Sequence, residues 1–283
     1  MQELIEKAHN IIATSRSITV LTGAGISAES GIPTYRDEDG LWNNFRAEDF
    51  SSAEAFKKDP TVVWDWYKER RRTMAAAEPN EGHKALAKME RNAMQFMLLT
   101  QNIDGLHQCA GTDNIVELHG SVWQLRCTNC LGEWSYKGEL GPGNPFCGSC
   151  HSVARPAVVW FGEPLNEVQW TRAHRAAYCD TFLVVGTSAL VDPVASLPGI
   201  AQNNRARIIE VNLSETPITP IADVSIRGKA GDILPQLVEE KEHTIDGMHD
   251  MDLGRAMQRG LEKFYAKYPQ LKKYVEGSGG KVE

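Results

Sequence analysis

The sequence contains no apolar run approaching the roughly 20 residues needed to cross a bilayer as a helix, which argues against a helical membrane span. It also has no basic excess: 30 Lys and Arg stand against 37 Asp and Glu, a formal charge of −7. That balance excludes bulk binding to a nucleic-acid backbone, whose affinity rests on cationic side chains neutralising phosphates, so any basic partner has to be met locally. The opening "MQELIEKAHNII" lacks the basic start and apolar block of an export signal. The expectation is a soluble, unexported, cytoplasmic chain, with an organelle left open, no membrane or direct nucleic-acid partner, and an oligomeric state that is not legible. No internal repeat is seen.

Cysteines are few, and their placement is informative. Of the six, Cys109 and Cys179 lie apart, while the other four fall as Cys127-x2-Cys130 and Cys147-x2-Cys150, separated by 16 residues. Paired spacing of this kind is that of a metal site in a reducing compartment rather than of disulfides. Four thiolates can close a tetrahedron around one Zn2+ and leave no position for water, which makes a structural site.

The rest of the composition, 42% hydrophobic and 24% charged over 283 residues, fits a soluble globular protein of one large or two modest domains. Short β-rich runs end in small or polar residues: "SITVLTGAG" (17–25), "FMLLTQN" (96–102), "NIVELHG" (114–120), "TFLVVGTS" (181–188) and "RIIEVN" (207–212). Helical periodicity between most of them, as in "GHKALAKMERNA" and "VQWTRAHRAAYC", predicts a parallel sheet covered on both faces. The expected class is α/β with a Rossmann-like sheet, whose ligands bind beyond the carboxyl ends of the strands.

Two stretches interrupt this alternation. Residues 36–80 are helical and aromatic; residues 124–156 carry the four cysteines amid "LGPGNP" and little apolar content. Together they are read as a small lobe in which a metal substitutes for a core, inserted into a large domain made of 1–35, 81–123 and 157–238. Residues 239–283 form a separate extension, with apolar residues at helical spacing up to Pro269 and a frayed tail.

"VLTGAGISA" puts Gly23, Gly25 and Ala28 in a Gly-x-Gly-x-x-Ala pattern straight after a strand. Small residues there let the backbone approach a pyrophosphate, with a helix start supplying the positive end; the plainer alternative is a tight turn. The acidic residue expected to close a second strand about 20 positions on is missing, so the ribose would have to be held otherwise. "TQNIDGLH" places Gln101, Asn102 and Asp104 at one strand end, and "ELHGS" places His119 at the next. A lone histidine there is more often structural; two such strand ends opposite a glycine-rich loop point to a site.

"WDWYKERRR" (64–72) reads as helix, and residues three and four apart share a helix face, so Val63, Tyr67, Arg70 and Met74 line one stripe. An arginine in a mostly apolar stripe has a plain explanation, its stem on the core and its head in water. The alternative is a cation kept for a ligand, and the helix alone favours the first.

Taken together, "TGAGISAESGIPTYRD", "TQNIDGLH", "ELHGS", the cysteine quartet, "VVWFGE", "VVGTS" and "EVN" occur in the order found in sirtuins, the NAD-dependent protein-lysine deacylases, which this sequence resembles over about residues 10–238. Tyr35 stands where many sirtuins have Phe. The resemblance implies a Rossmann-like domain with a small zinc lobe, NAD as cofactor and one structural Zn2+. It implies that Gly23, Ala24, Gly25 and Arg36 surround the phosphates and nicotinamide ribose, that Gln101, Asn102 and Asp104 position that ribose and the nicotinamide, and that Gly186, Thr187, Ser188 and Asn212 hold the adenosine half. His119, with Asn102, is the implied catalytic pair, His119 acting as general base on the ribose hydroxyls after the acyl oxygen has displaced nicotinamide; the products are free lysine, nicotinamide and O-acyl-ADP-ribose. Val159, Phe161, Gly162 and Glu163 match the segment that receives the acylated lysine of a protein substrate as an added strand.

In that pattern the helix after "FKKDP" borders the acyl channel, and Tyr67-x-x-Arg70 marks the class III branch, which removes succinyl, malonyl and glutaryl groups. The small Ser51 upstream leaves the channel wide, and a guanidinium with a phenol suits a distal carboxylate. Ordinary deacetylation, mono-ADP-ribosyl transfer, and a zinc or NAD-sensing module without turnover remain as alternatives.

Overall fold

The computed structural model describes residues 1–34 and 49–238. Tyr35 and Arg36, and the expected extension 239–283, lie outside the described residues. In chain order the elements are α1 (Gln2–Thr14), β1 (Ser17–Thr22), α2 (Ala53–Lys58), α3 (Pro60–Ala76), α4 (Glu81–Asn92), β2 (Gln95–Thr100), α5 (Leu106–Cys109), β3 (Ile115–Glu117), β4 (Gly120–Cys127), β5 (Glu133–Ser135), β6 (Ala154–Val158), α6 (Glu167–Ala176), β7 (Thr181–Val185), α7 (Leu197–Asn203), β8 (Arg207–Asn212), β9 (Val224–Arg227) and α8 (Ala230–Val238).

Six strands form one sheet in the order β3-β2-β1-β7-β8-β9, and every pair in it is parallel. Counted within the sheet this is 3-2-1-4-5-6, the doubly wound order, with its reversal between β1 and β7. Side-chain alternation along each strand feeds two cores. Val20, Leu98, Leu183 and Ile209 pack with Ile5 of α1, Leu86 of α4 and Leu234 of α8 on one face. Leu21, Leu99, Phe182 and Ile208 pack with Ala173 of α6 and Leu197 of α7 on the other. The α/β class expected from the runs is the one observed, and no described helix is long and apolar enough to cross a membrane.

Strands β5, β4 and β6 make a separate antiparallel sheet. It starts at Gly120 and ends at Val158, so its two long strands reach several residues beyond 124–156 on either side. Helix α3 lies against it: the Trp64 indole N–H donates to the Ala154 carbonyl at 2.8 Å. Asp59 caps α3 by accepting from the Thr61 and Val62 amides at 2.9 and 3.3 Å, and Pro60 starts the first turn, where its missing N–H costs nothing. The helix runs on through residues 64–72 as its spacing predicts, and Val63, Tyr67, Arg70 and Met74 are all buried.

Candidate active site

At the β1/β7 reversal two backbones come within contact of each other. The Gly23 amide donates to the Val185 carbonyl at 3.1 Å and the Gly25 amide to that of Gly186 at 2.8 Å. A Cβ on Gly25 would lie 2.8 Å from Gly186 Cα, and one on Gly186, whose φ is +58°, would lie 2.6 Å from the Ile26 nitrogen. These glycines therefore serve loop-to-loop packing first, and the small-residue pattern is needed even without a ligand. The helix start expected after Gly-x-Gly does not form: Ala24–Ile26 and Ala28–Ser30 are two short 3-10 turns. Gly31, in the left-handed region, ends the second turn, and Pro33 follows two residues on, a sequence that stops a helix.

The loop after β2 brings the polar residues to the same edge. The Gln101 side chain donates to Thr187 Oγ1 at 2.8 Å, and Asn102 Nδ2 donates to the Gly23 carbonyl and to Ser27 Oγ, each at 3.1 Å. Asp104 is turned inward, buried, accepting from Ser27 Oγ at 2.8 Å and from the Leu106 amide at 2.9 Å. Burial raises its pKa, with the Leu106 amide, Ser27 and the Arg70 charge offsetting part of the effect. On the far side Asn212 Nδ2 donates to the Thr187 carbonyl at 2.8 Å. The segment beyond Asn212 is fixed by the buried Glu210, which accepts from Thr216, Thr219, Ser225 and Arg227. Gly23, Ala24, Gly25, Gln101, Asn102, Asp104, Gly186, Thr187, Ser188 and Asn212 thus gather along the carboxyl ends of β1, β2, β7 and β8.

His119 follows β3, half-buried, with Nδ1 3.0 Å from the Gln101 carbonyl. A carbonyl only accepts, so Nδ1 carries the hydrogen and Nε2 keeps its lone pair. Burial lowers the imidazole pKa, with the Gln101 carbonyl opposing, so the ring is neutral near pH 7 and ready to accept a proton. The His119 carbonyl receives the Val159 amide at 2.9 Å, which ties the base to the "VVWFGE" segment. Within that segment Phe161 is exposed and bridges to Ser52, its amide donating to the Ser51 carbonyl at 2.9 Å, and Gly162 turns at φ +81°. The Glu163 carboxylate is already engaged by Arg155 at 2.5 and 2.9 Å and by the Trp160 amide at 2.9 Å; it holds this turn.

Tyr67 and Arg70 sit below. The Tyr67 hydroxyl accepts from the Trp160 indole N–H at 3.0 Å and pairs with Ser51 Oγ at 3.2 Å. Arg70, 8% exposed, lays its guanidinium over the Trp66 ring at 4.9 Å, and Phe50 stacks on Trp66. At 8% exposure most of the Arg70 side chain is buried, unlike an arginine that only rests its stem on the core.

The four cysteines are free of disulfides, with all four Sγ atoms within 4.8 Å of one another. The separations Cys127–Cys150, 3.4 Å, and Cys130–Cys147, 3.7 Å, compare with about 3.8 Å for the edge of a tetrahedron with Zn–S bonds of about 2.3 Å. Main-chain amides of Asn129, Cys130 and Ser149 point at the sulfurs at 3.4 Å, as thiolates ligating a cation require. The donor set fits one structural Zn2+ with no open position.

Sequence reasoning passed over Ser27, His83 and His107, although Ser27 lies inside the glycine-rich motif and His107 inside "TQNIDGLH". His83 Nε2 is 3.4 Å from Ser27 Oγ, His107 Nε2 is 3.0 Å from Thr22 Oγ1, and the two rings lie 4.8 Å apart in full burial. Their Nε2 partners donate onward, to Asp104 and Thr100, so both rings support the loop from beneath.

A model of the Sir2 family matches residues 23–193. The NAD-dependent protein deacylase 2 of Pyrobaculum aerophilum is 47% identical over 237 residues, 83% of this chain and 95% of that protein. A solved complex of a Sir2 homologue with NAD is 48% identical, covers 82% of this chain and 92% of its own, and superposes with a TM-score of 0.79. Sir2Af2 bound to a myristoylated histone peptide is 39% identical, covers 84% and 96%, and gives 0.69. With the family model matching residues 23–193 and relatives of 39–48% identity covered over most of their length, the chain belongs to the Sir2 family.

Proposed function

We propose that this protein is an NAD-dependent protein-lysine deacylase, and that it prefers acyl groups ending in a carboxylate: succinyl, malonyl or glutaryl. The deacylase part rests on family membership and on relatives carrying that activity in their names. The acidic preference rests on one observation, an arginine buried on the Tyr67 face of α3. A planar guanidinium offers a carboxylate two charge-assisted hydrogen bonds, and the Tyr67 side chain lies on the same helix face.

NAD, when bound, supplies an electrophilic ribose carbon with nicotinamide as the leaving group. Gly23, Ala24 and Gly25 line the phosphate side with backbone, and Gln101, Asn102 and Asp104 orient the nicotinamide ribose. Gly186, Thr187, Ser188 and Asn212 take the adenosine side. His119 accepts a ribose hydroxyl proton at Nε2 while Gln101 fixes the tautomer from the other nitrogen. Val159, Phe161 and Gly162 offer an extended backbone to the substrate peptide, with Glu163 bracing the turn. A Zn2+ held by the quartet adds folding energy to a module whose Val122, Leu125 and Val158 also pack with Val63, Trp64 and Tyr67 of α3.

The relative bound to a myristoylated peptide favours a second reading, in which the aromatic surface of Phe50 and Trp66 accepts a long apolar chain. Catalytic efficiency with NAD on acetyl-, succinyl- and myristoyl-lysine peptides separates the two. A succinyl peptide turned over no faster than the others removes the acidic preference.

A further inference from the structure

Neighbouring arginines on α3 face different partners. Arg71, 4% exposed, joins α3 to β4 and to the segment after β5. One of its amino groups donates to the Val122 carbonyl, and the other to the carbonyls of Tyr136 and Gly138 at 2.7 and 2.9 Å. Its guanidinium also lies over the Trp123 ring, 4.7 Å from the centroid. Trp123 passes the contact on: its indole N–H donates to the Asp104 carbonyl at 2.5 Å, while the Val122 amide donates to the Ile103 carbonyl at 3.1 Å. Gly105, with φ +80°, is pressed against the same ring, a Cβ there meeting Trp123 Cδ1 and Nε1 at 3.1 Å. Two successive carbonyls of the loop that carries Asn102 and Asp104 are therefore held by residues of β4, and β4 is held by Arg71 to the segment just after β5, in the cysteine-bearing module.

We infer that Trp123 and Arg71 are positioning residues which set the loop orienting the nicotinamide ribose, so that the metal module acts on the cofactor site through this strut. The inference rests on the NAD reading above. The loop's own hydrogen bonds, from Ser27 and the Leu106 amide to Asp104, fix the carboxylate but leave the carbonyls of 103 and 104 to β4. The strut is also local to one half of the site, because among the described residues no hydrogen bond joins Trp123 or Arg71 to the β7 and β8 ends.

The test compares wild type with Trp123→Phe, which keeps a ring for Arg71 but removes the donor and part of the indole, and with Arg71→Met. Calorimetric titration with NAD and separately with ADP reads the two halves of the site, with zinc content and melting temperature measured on each protein. The expected result for Trp123→Phe is NAD binding weakened about 3- to 10-fold, the range of one lost hydrogen bond, with ADP affinity and zinc content unchanged. Combining the two substitutions should cost less than the sum of the singles, since both cut one path. Equal weakening of NAD and ADP, or unchanged NAD affinity in a folded Trp123→Phe, overturns the inference. Amide hydrogen exchange adds a readout free of ligand: Leu106 and Val122 should exchange faster in Trp123→Phe while β1 does not, and an unchanged rate there defeats the strut. Wild type that binds ADP but not NAD would instead remove the NAD reading, and the exchange arm would still decide this one.

Discussion

The imidazole of His119 and the main-chain carbonyl of Gln101 are locked in one sense: Nδ1–H donates and the oxygen accepts, at 3.0 Å. That bond selects the tautomer whose free nitrogen is Nε2, and Gln101 also reaches Thr187 through its side chain. The base, the ribose loop and the far side of the NAD site are thus registered through a single residue.

Replacing His119 with Ala should leave NAD affinity near wild type and reduce turnover by about 10²- to 10⁴-fold, the usual span for a lost general base. Because burial lowers the pKa of His119, the neutral form persists below the ordinary imidazole value, and the acid limb of the kcat profile should fall below about 6.5. A limb above that value would mean another group controls the step.

Arg70→Met should lower kcat/KM on succinyl-lysine by about 10- to 100-fold relative to acetyl-lysine, the worth of a charge-assisted contact. Tyr67→Phe is less clean than its single hydroxyl suggests. The hydroxyl accepts the buried Trp160 indole N–H at 3.0 Å, so its removal orphans a donor and should also cost stability, about 1–3 kcal/mol. An acyl ratio unchanged in both variants makes the protein an ordinary deacetylase.

Cys127→Ser should lose zinc and aggregate or unfold, and a strong chelator should do the same to wild type, because a closed Zn2+ site contributes folding energy directly. The outcome is read as metal content and melting temperature. A metal-free protein as stable as the parent would show the quartet to be dispensable.

Gly186→Ala should disrupt the β1/β7 junction, since its Cβ would stand 2.6 Å from the Ile26 nitrogen in a left-handed conformation. Loss of NAD and ADP binding together is expected, with lower stability. Gly31→Ala is the control: nothing lies within 4 Å of its Cβ position, and only the strain of φ +82° remains.

His83 is fully buried, and burial lowers its pKa to about 4. The unfolded chain, with histidine near 6.5, then binds more protons than the fold between about 4 and 6.5, so stability is lost as pH falls through that window and is flat above it. The full span is about 3 kcal/mol for this group. His107 acts in the same sense and Asp104, raised by burial, in the opposite one, so the measurement is the difference between wild type and His83→Gln in denaturant titrations across that window. Parallel curves would mean His83 does not titrate on unfolding.

Much was legible in the sequence because it is encoded over short distances. Near-continuous apolar runs mark β1 and β8 as strands buried on both faces, cysteine spacing fixes the quartet, and strand ends fix where His119 and Asn102 stand. Even so, the helix expected after Gly25 is absent, since Gly31 and Pro33 close the turns before one can form. What only the tertiary structure decided are partners far apart in sequence. Arg70 and Arg71 look alike as letters, yet adjacent helix positions differ by about 100° in direction, sending one toward Trp66 and Asp104 and the other to β4 and the segment after β5. Ser27 under Asp104, Trp123 on the loop carbonyl and Glu163 on Arg155 are likewise choices of hydrogen-bond partner. They depend on how elements cross, and neither periodicity nor spacing carries that information.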